Sequence, residues 1–128
     1  MLKGRRIVLG VTGGIAAYKA AELVRELVRR GSQVRVIMTE HACRFVAPLT
    51  FETLSGNPAA TDLFRSPGPF EIGHISLAEF AETLVIAPAT ANVIGKMAAG
   101  IADDLLTTVI LALQAPILIC PAMNEKMY

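Results

Sequence analysis

Residues 7–31 read IVLGVTGGIAAYKAAELVRELVRRG, in which a strand, a glycine turn and a helix follow one another. Residues 7–11 are apolar and rich in valine, as is typical of a strand that is buried on both faces. Residues 15–30 repeat their apolar side chains at helical spacing, and Gly31 stands where a C-terminal cap is expected. The segment therefore predicts the first strand-helix unit of an α/β domain.

The rest of the chain continues this alternation of strands and helices. Further strands are predicted at 34–38, 60–64, 83–87 and 116–120, and further helices at 42–54 with an interruption near Pro48, at 74–81, at 91–99 and at 104–113. Such alternation favours right-handed crossovers between parallel strands. We expect residues 1–128 to form one domain with a Rossmann-like (flavodoxin-like), doubly wound parallel sheet in three α/β/α layers.

The composition limits the classes of function. The chain has 12 Lys or Arg against 11 Asp or Glu, so bulk electrostatics indicates neither a nucleic-acid nor a membrane partner. No apolar stretch approaches the ~20 residues that a membrane-spanning helix needs. The two cysteines, Cys43 and Cys120, make neither a metal-binding spacing nor a disulfide framework. We therefore expect no metal site and a reduced, cytoplasmic protein.

The glycine turn after the first strand is a candidate phosphate site. In parallel sheets ligands lie at the carboxyl ends of the strands, and Gly13 and Gly14 open a helix there. A tight turn without a ligand is the alternative. A dinucleotide fits poorly, because Gly10 and the paired glycines miss the fingerprint spacing and Met38-Thr39 supplies no acid for the ribose. A mononucleotide fits better than NAD.

Two later strands also end in small and amide-bearing residues. Residues 87–92 read APATAN and residues 120–124 read CPAMN. Both suit a flat ligand that needs hydrogen bonds and a close backbone approach. Thr90 and Asn92 are equally good helix caps, so the residues alone leave ligand binding and capping both open.

Two histidines are candidates for a role in proton transfer. His74 follows Gly73 at the start of one predicted helix, and His41 starts another. Imidazole is the side chain best suited to take a proton near neutral pH, although a lone histidine is more often structural. The residues alone do not choose between His74 and His41.

Taken together, these segments resemble the homo-oligomeric flavin-containing cysteine decarboxylases, and among them the members that decarboxylate phosphopantothenoylcysteine in coenzyme A biosynthesis. The resemblance covers the whole chain and rests on residues 13–19 (GGIAAYK), 38–39 (MT), 73–78 (GHISLA), 88–92 (PATAN), 100–106 (GIADDLL) and 121–127 (PAMNEKM). The last of these motifs is the most specific, and the glycine turn is the least.

The resemblance implies FMN as the cofactor, His74 as the catalytic base and Asn124 as the residue that binds the substrate carboxylate. The residues that it places around FMN are Gly13, Gly14, Ile15, Thr39, Thr90, Ala91, Asn92, Val93 and Ala122. The implied reaction is the oxidative decarboxylation of 4'-phosphopantothenoylcysteine to 4'-phosphopantetheine. Oxidation of the thiol-bearing carbon supplies the electron sink that loss of CO2 requires.

The sequence departs from the family pattern in two places. The family has a proton-donating cysteine after the last motif, whereas this sequence ends at Tyr128, and neither Cys43 nor Cys120 takes that place. We therefore expect the domain to lack the family's C-terminal substrate-clamp segment. Val93 stands where many relatives have Thr. The family also implies a homotrimer or homododecamer with a small phosphorylated substrate.

Other functions are compatible with parts of the pattern. Flavin prenyltransferases share the expected fold, but they need a basic prenyl-phosphate site and are not expected to carry the segment at 121–127. A non-catalytic flavin-binding subunit would need neither His74 nor Asn124. A nicotinamide-dependent reductase is disfavoured by the glycine spacing.

Overall fold

A computed structural model describes residues 2–64 and 73–127, and its sheet has four parallel strands in the order β2-β1-β3-β4. The strands are β1 (Arg6–Val11), β2 (Gln33–Met38), β3 (Thr83–Ala89) and β4 (Ile117–Pro121). The helices are α1 (Ala17–Arg29), α2 (Pro48–Ser55), α3 (Gly73–Phe80), α4 (Ala91–Ala99) and α5 (Leu105–Ala112), with 3-10 turns at Ala42–Arg44 and Glu125–Met127. The predicted Rossmann-like parallel sheet is confirmed. No helix in these two stretches is long and apolar enough to cross a membrane.

Different helices cover the two faces of the sheet. Side chains of successive strand residues point to opposite faces, so Val8 and Leu9 of β1 belong to two separate cores. Leu9 packs in the core that α1 and α2 close, where Phe51 is fully buried. Val8 packs in the core formed with α3, α4 and α5, which includes Leu106. The three predicted layers are present.

Helix α1 begins two residues later than the sequence pattern predicts. The N–H of Ala17 donates to the carbonyl of Gly14 at 2.9 Å, so the residues between them form a turn. No side chain caps this end of the helix, so no capping hydrogen bond draws the turn residues into the helix. At the other end Gly31 has a φ of +91°, which favours glycine and confirms the predicted cap.

The predicted strand at 60–64 is wrong beyond its first residue. Ala60 forms an isolated parallel bridge with Ile37, in which Ala60 N–H donates to the Val36 carbonyl at 2.9 Å. The N–H of Phe64 instead donates to the Asp62 carboxylate at 2.9 Å, a local bond that turns the chain away from the sheet. The interruption near Pro48 is confirmed, because Pro48 starts α2 after the first 3-10 turn.

The amino edge of the sheet is closed by a group of charged and aromatic side chains. The Glu82 carboxylate accepts bonds from the Arg5 guanidinium and from the backbone N–H of Arg6, both at 3.1 Å. The Arg35 guanidinium lies 4.2 Å from the centre of the Phe80 ring. We call these five residues the amino-edge cluster.

Candidate functional site

A cavity of about 240 Å³ lies where β1, β2 and β3 end, and we call it the carboxyl-edge cavity. Its lining residues come from the connections after these strands, from α4 and from the loop before α5: Gly13, Thr39, Glu40, His41, Thr90, Asn92, Val93, Lys96, Asp103 and Asp104. The position matches the expected ligand edge of a parallel sheet. Much of the predicted cofactor set thus meets in one place.

The glycine turn packs closely against the connection after β2. A Cβ placed on Gly13 would lie 2.3 Å from the Cβ of His41 and 2.9 Å from its carbonyl carbon. At Gly14 the nearest atom to such a Cβ would be the Thr90 methyl carbon, at 3.9 Å. Gly13 is therefore required by the protein's own backbone, whereas Gly14 leaves room beside Thr90.

Thr12, which the sequence pattern did not single out, joins the glycine turn to the connection after β3. Its side chain is fully buried, and its hydroxyl donates to the Pro88 carbonyl. The same oxygen accepts the N–H of Thr90 at 3.0 Å. A hydroxyl residue that ends an otherwise apolar strand is the signal that could have identified it.

Two threonine hydroxyls on the cavity wall accept backbone N–H groups. Thr39 Oγ1 accepts from Ala42 N–H at 3.2 Å, and Thr90 Oγ1 accepts from Val93 N–H at 3.3 Å. A hydroxyl that accepts in this way still has its own O–H to donate. The capping role expected for Thr90 is present, and it is compatible with a second role as a donor to a ligand.

The helices that meet at this edge begin in different ways. Thr90 caps α4, and Asp104 caps α5 through a capping box in which its carboxylate accepts Thr107 N–H at 2.9 Å. Helix α1, which follows the glycine turn, has no side-chain cap. Its first N–H groups therefore form the kind of helix start at which an anion is stabilised.

The charged lining is mostly acidic. Glu40, Asp103 and Asp104 contribute carboxylates, and Lys96 is the one lysine or arginine among the described residues that line the cavity, beside the imidazole of His41. The Lys96 ammonium lies 3.0 Å from the Asp103 carboxylate. The sequence pattern did not predict this ion pair. Asp103 belongs to the motif at 100–106, but Lys96 lies seven residues earlier in α4, on the other side of Gly100.

Cys43 lies two residues after His41, which lines the cavity, and its thiol is not activated. Its N–H donates to the Thr39 carbonyl at 3.3 Å, and the residue is half-buried. Burial, and secondarily the Glu40 carboxylate, raises the pKa of the Cys43 thiol above its ordinary value. The thiol therefore stays protonated near neutral pH and is not an activated nucleophile.

The other residues predicted to hold the cofactor do not line this cavity. Ile15 is 83% exposed at the start of α1, and Ala91 is the first residue of α4. The N–H of Ala122 donates to the Ala89 carbonyl at 3.1 Å, which holds the end of β4 beside the end of β3.

The two residues predicted to carry the chemistry also lie outside the cavity. His74 is in the first turn of α3, the end of this helix that lies farther from β3 along the chain, and it does not line the cavity. Asn124 follows β4, is exposed, and accepts Lys126 N–H with its side-chain oxygen at 2.9 Å. Of the two histidines, His41 and not His74 lines the cavity.

Comparison with known proteins gives the family. The flavoprotein family model matches residues 1–128. The coenzyme A biosynthesis bifunctional protein CoaBC of Bacillus subtilis is 56% identical over the whole chain, which spans about a third (32%) of that relative's length.

Superposition on solved structures supports the same family assignment. The FMN-dependent cysteine decarboxylase SpaF superposes with a TM-score of 0.91 at 35% identity, covering 99% of this chain and 73% of that one. A PPC decarboxylase in complex with pantothenoylaminoethenethiol superposes with a TM-score of 0.79 at 29% identity, covering 98% and 70%. The chain therefore belongs to the flavoprotein family and shares the fold of its cysteine-decarboxylating members.

Proposed function

We propose that the chain binds FMN at the carboxyl-edge cavity and catalyses the oxidative decarboxylation of 4'-phosphopantothenoylcysteine to 4'-phosphopantetheine. One observation carries the proposal: the uncapped start of α1 lies at the edge where Thr39 and Thr90 line a cavity. The names of the relatives, CoaBC and PPC decarboxylase, supply the substrate.

The residues at this edge fit the phosphate of FMN. The N–H groups at Gly13–Ile15 are suited to a dianion, and the Thr39 and Thr90 hydroxyls can each donate one bond. Residues 91–93 and Ala122, which follow β3 and β4 at the same edge, would contact the rest of the flavin. When bound, FMN would supply the acceptor for the hydride removed from the thiol-bearing carbon and the source from which this hydride returns after CO2 is lost, so that the product is the saturated thiol.

His74 and Asn124 would act on the substrate. In our proposal neutral His74 takes the thiol proton, and the Asn124 amide donates to the carboxylate that leaves as CO2. The exposure of the Asn124 side chain leaves its amide N–H₂ accessible to a substrate. Its oxygen already accepts the Lys126 N–H, which orients the amide.

We further propose that a homotrimer, or a multiple of it, completes the site. The cavity of about 240 Å³ is smaller than the ~300–1,000 Å³ typical of ligand pockets, and His74 lies outside it. Large apolar side chains are exposed just before α1 and before α2, including Ile15 at 83% and Phe45 at 54%. A second copy that covers them would add walls to the cavity. A stable monomer with full flavin content in light scattering would contradict this proposal.

Cofactor release tests the first part of the proposal. Heat-denatured protein should release FMN, identified by chromatography, and release of FAD or NAD in its place would refute the assignment.

The chemistry is tested by two variants that should fail differently. His74→Asn should retain FMN but lose flavin bleaching by substrate under anaerobic conditions, by about 10²–10⁴-fold in rate. Asn124→Asp places a carboxylate against the substrate carboxylate, so substrate affinity should fall first. Bleaching of the His74→Asn protein at the unmutated rate would remove His74 as the base.

A further inference from the structure

Lys96 is half-buried on the wall of the carboxyl-edge cavity and is held there by an ion pair. It lies on α4, one turn after Asn92 and therefore on the same face of the helix. Its side chain is 24% exposed, and its ammonium lies 3.0 Å from both carboxylate oxygens of Asp103. A long side chain fixed in this way loses little further rotamer freedom when it binds a ligand.

Because several carboxylates line the cavity, an anion that binds there needs the positive charge of Lys96. The carboxylates of Glu40, Asp103 and Asp104 line the same cavity and would repel a phosphate. Asp104 is engaged with Thr107, and Asp103 is the partner of Lys96. An ammonium has three N–H donors, so Lys96 can hold Asp103 and still bind a further anion.

We propose that Lys96 determines specificity for the phosphorylated flavin, by donating to the FMN phosphate while Asp103 keeps it in place. The inference rests on the proposed FMN function and adds a residue to it. A purely structural role, in which the ion pair ties the loop at 100–104 to α4, predicts a different outcome. That role would support every flavin equally, whereas a phosphate contact matters only for FMN.

The test compares FMN with riboflavin, which lacks the phosphate, in the full-length protein. The dissociation constants of both are measured by quenching of flavin fluorescence. Lys96→Met should weaken FMN binding roughly ten- to a hundredfold, the range for a hydrogen bond to a charged group. Riboflavin binding should change less than about twofold, because it makes no such bond. Lys96→Arg should restore most of the preference for FMN.

Two further variants distinguish a direct effect of the Lys96 charge on FMN from a loss of local structure. Lys3→Met removes the same charge at the opposite edge of the sheet, where the neighbouring Gly4 N–H donates to the Gly31 carbonyl, and should leave both affinities unchanged. Asp103→Asn keeps a side-chain oxygen that can accept from Lys96 but removes a negative charge from the cavity wall, so FMN affinity should stay equal or rise. If the ion pair were only structural, Asp103→Asn would instead weaken both flavins.

Equal loss of FMN and riboflavin binding in Lys96→Met would overturn the inference, as would unchanged FMN binding in that variant. Either result would leave the proposed function standing, because the unmutated protein would still bind FMN. Unmutated protein that bound neither flavin would overturn the proposed function together with the inference.

Discussion

The two edges of the sheet use their polar groups in opposite ways. At the amino edge, the Glu82 carboxylate is bonded to Arg5 and Arg6, and Phe80 lies against the Arg35 guanidinium. These groups bond to one another. At the carboxyl edge, α1 begins without a cap, and the Thr39 and Thr90 hydroxyls keep O–H donors beside a cavity.

This difference indicates that the polar groups of the amino edge contribute to stability, whereas those of the carboxyl edge are available to bind a ligand. Groups that bond to one another contribute to folding and have little left to offer a ligand, whereas donors held beside a cavity gain their partners on binding. Changes at the carboxyl edge should therefore lower flavin affinity, and changes in the amino-edge cluster should lower stability alone.

The largest effect is expected from Gly13→Ala. The added Cβ would lie 2.3 Å from the Cβ of His41, so the turn must move. Overpacking of this kind costs about 1–3 kcal/mol, and FMN affinity should fall at least about tenfold as the N–H groups shift. Fluorescence titration and urea unfolding would measure the two effects. Gly95→Ala, where nothing lies within 4 Å of the added carbon, is the matched control and should lose neither. FMN binding by Gly13→Ala at full affinity would contradict the role of the turn.

Thr12→Val should have the next largest effect. Valine has the same shape but leaves the Thr90 N–H without its partner. It also removes the hydroxyl bond to the Pro88 carbonyl, which still accepts the backbone N–H of residue 12 at 3.3 Å. Loss of a buried hydrogen-bonding group costs about 1–3 kcal/mol, and movement of Thr90 should weaken FMN binding as well. The measurements are the free energy of unfolding and the FMN dissociation constant. The control is Thr53→Val, whose exposed hydroxyl bonds only to the Leu49 carbonyl within its own helix. Equal stability of the two variants would show that Thr12 does not join the connections.

Phe80→Leu tests the comparison of the two edges at the amino edge. It keeps an apolar side chain but removes the ring beneath Arg35, a contact worth about 0.5–1 kcal/mol at an exposed site. Stability should fall by about that amount while FMN affinity is unchanged. Phe64→Leu, at a ring that is 91% exposed, should alter neither quantity. A loss of FMN affinity in Phe80→Leu would break the separation between the edges.

The smallest effect is expected from Glu82→Gln, and it should depend on pH. The backbone N–H of Arg6, followed by the Arg5 and Arg6 guanidinium groups, lowers the pKa of the Glu82 carboxyl. A pKa lowered by folding adds stability above the unfolded-state value, and this stability is lost as the pH falls through the folded-state pKa. The stability gap between Glu82→Gln and the unmutated protein should therefore narrow from about pH 7 to about pH 3. A gap that widened with acid would contradict the assigned direction.

Local signals predicted much of the fold. Helix α4 runs from Ala91 to Ala99, as predicted, because Thr90 caps its start and Gly100 ends it. The predicted strand at 60–64 does not form beyond its first residue, because the Asp62 carboxylate accepts the nearby Phe64 N–H. β-Propensity takes no account of such local side-chain bonds. For the site, the glycine turn and the residues after β3 were visible as motifs, whereas Thr12 and Lys96 were not. Asp103 was part of the motif at 100–106 but had no role assigned to it.

The sequence by itself determined the elements: the alternation of strands and helices, the caps, and the glycine turn that follows β1. These depend on residues close together along the chain, where periodicity and capping chemistry act directly. Only the tertiary structure decided which distant residues meet. Thr12 bonds to Thr90 across 78 residues, and Gly13 packs against His41, because β1 lies between β2 and β3. Hydrophobic periodicity specifies that strands are buried but not which strands are neighbours, so these contacts follow from the sheet order alone.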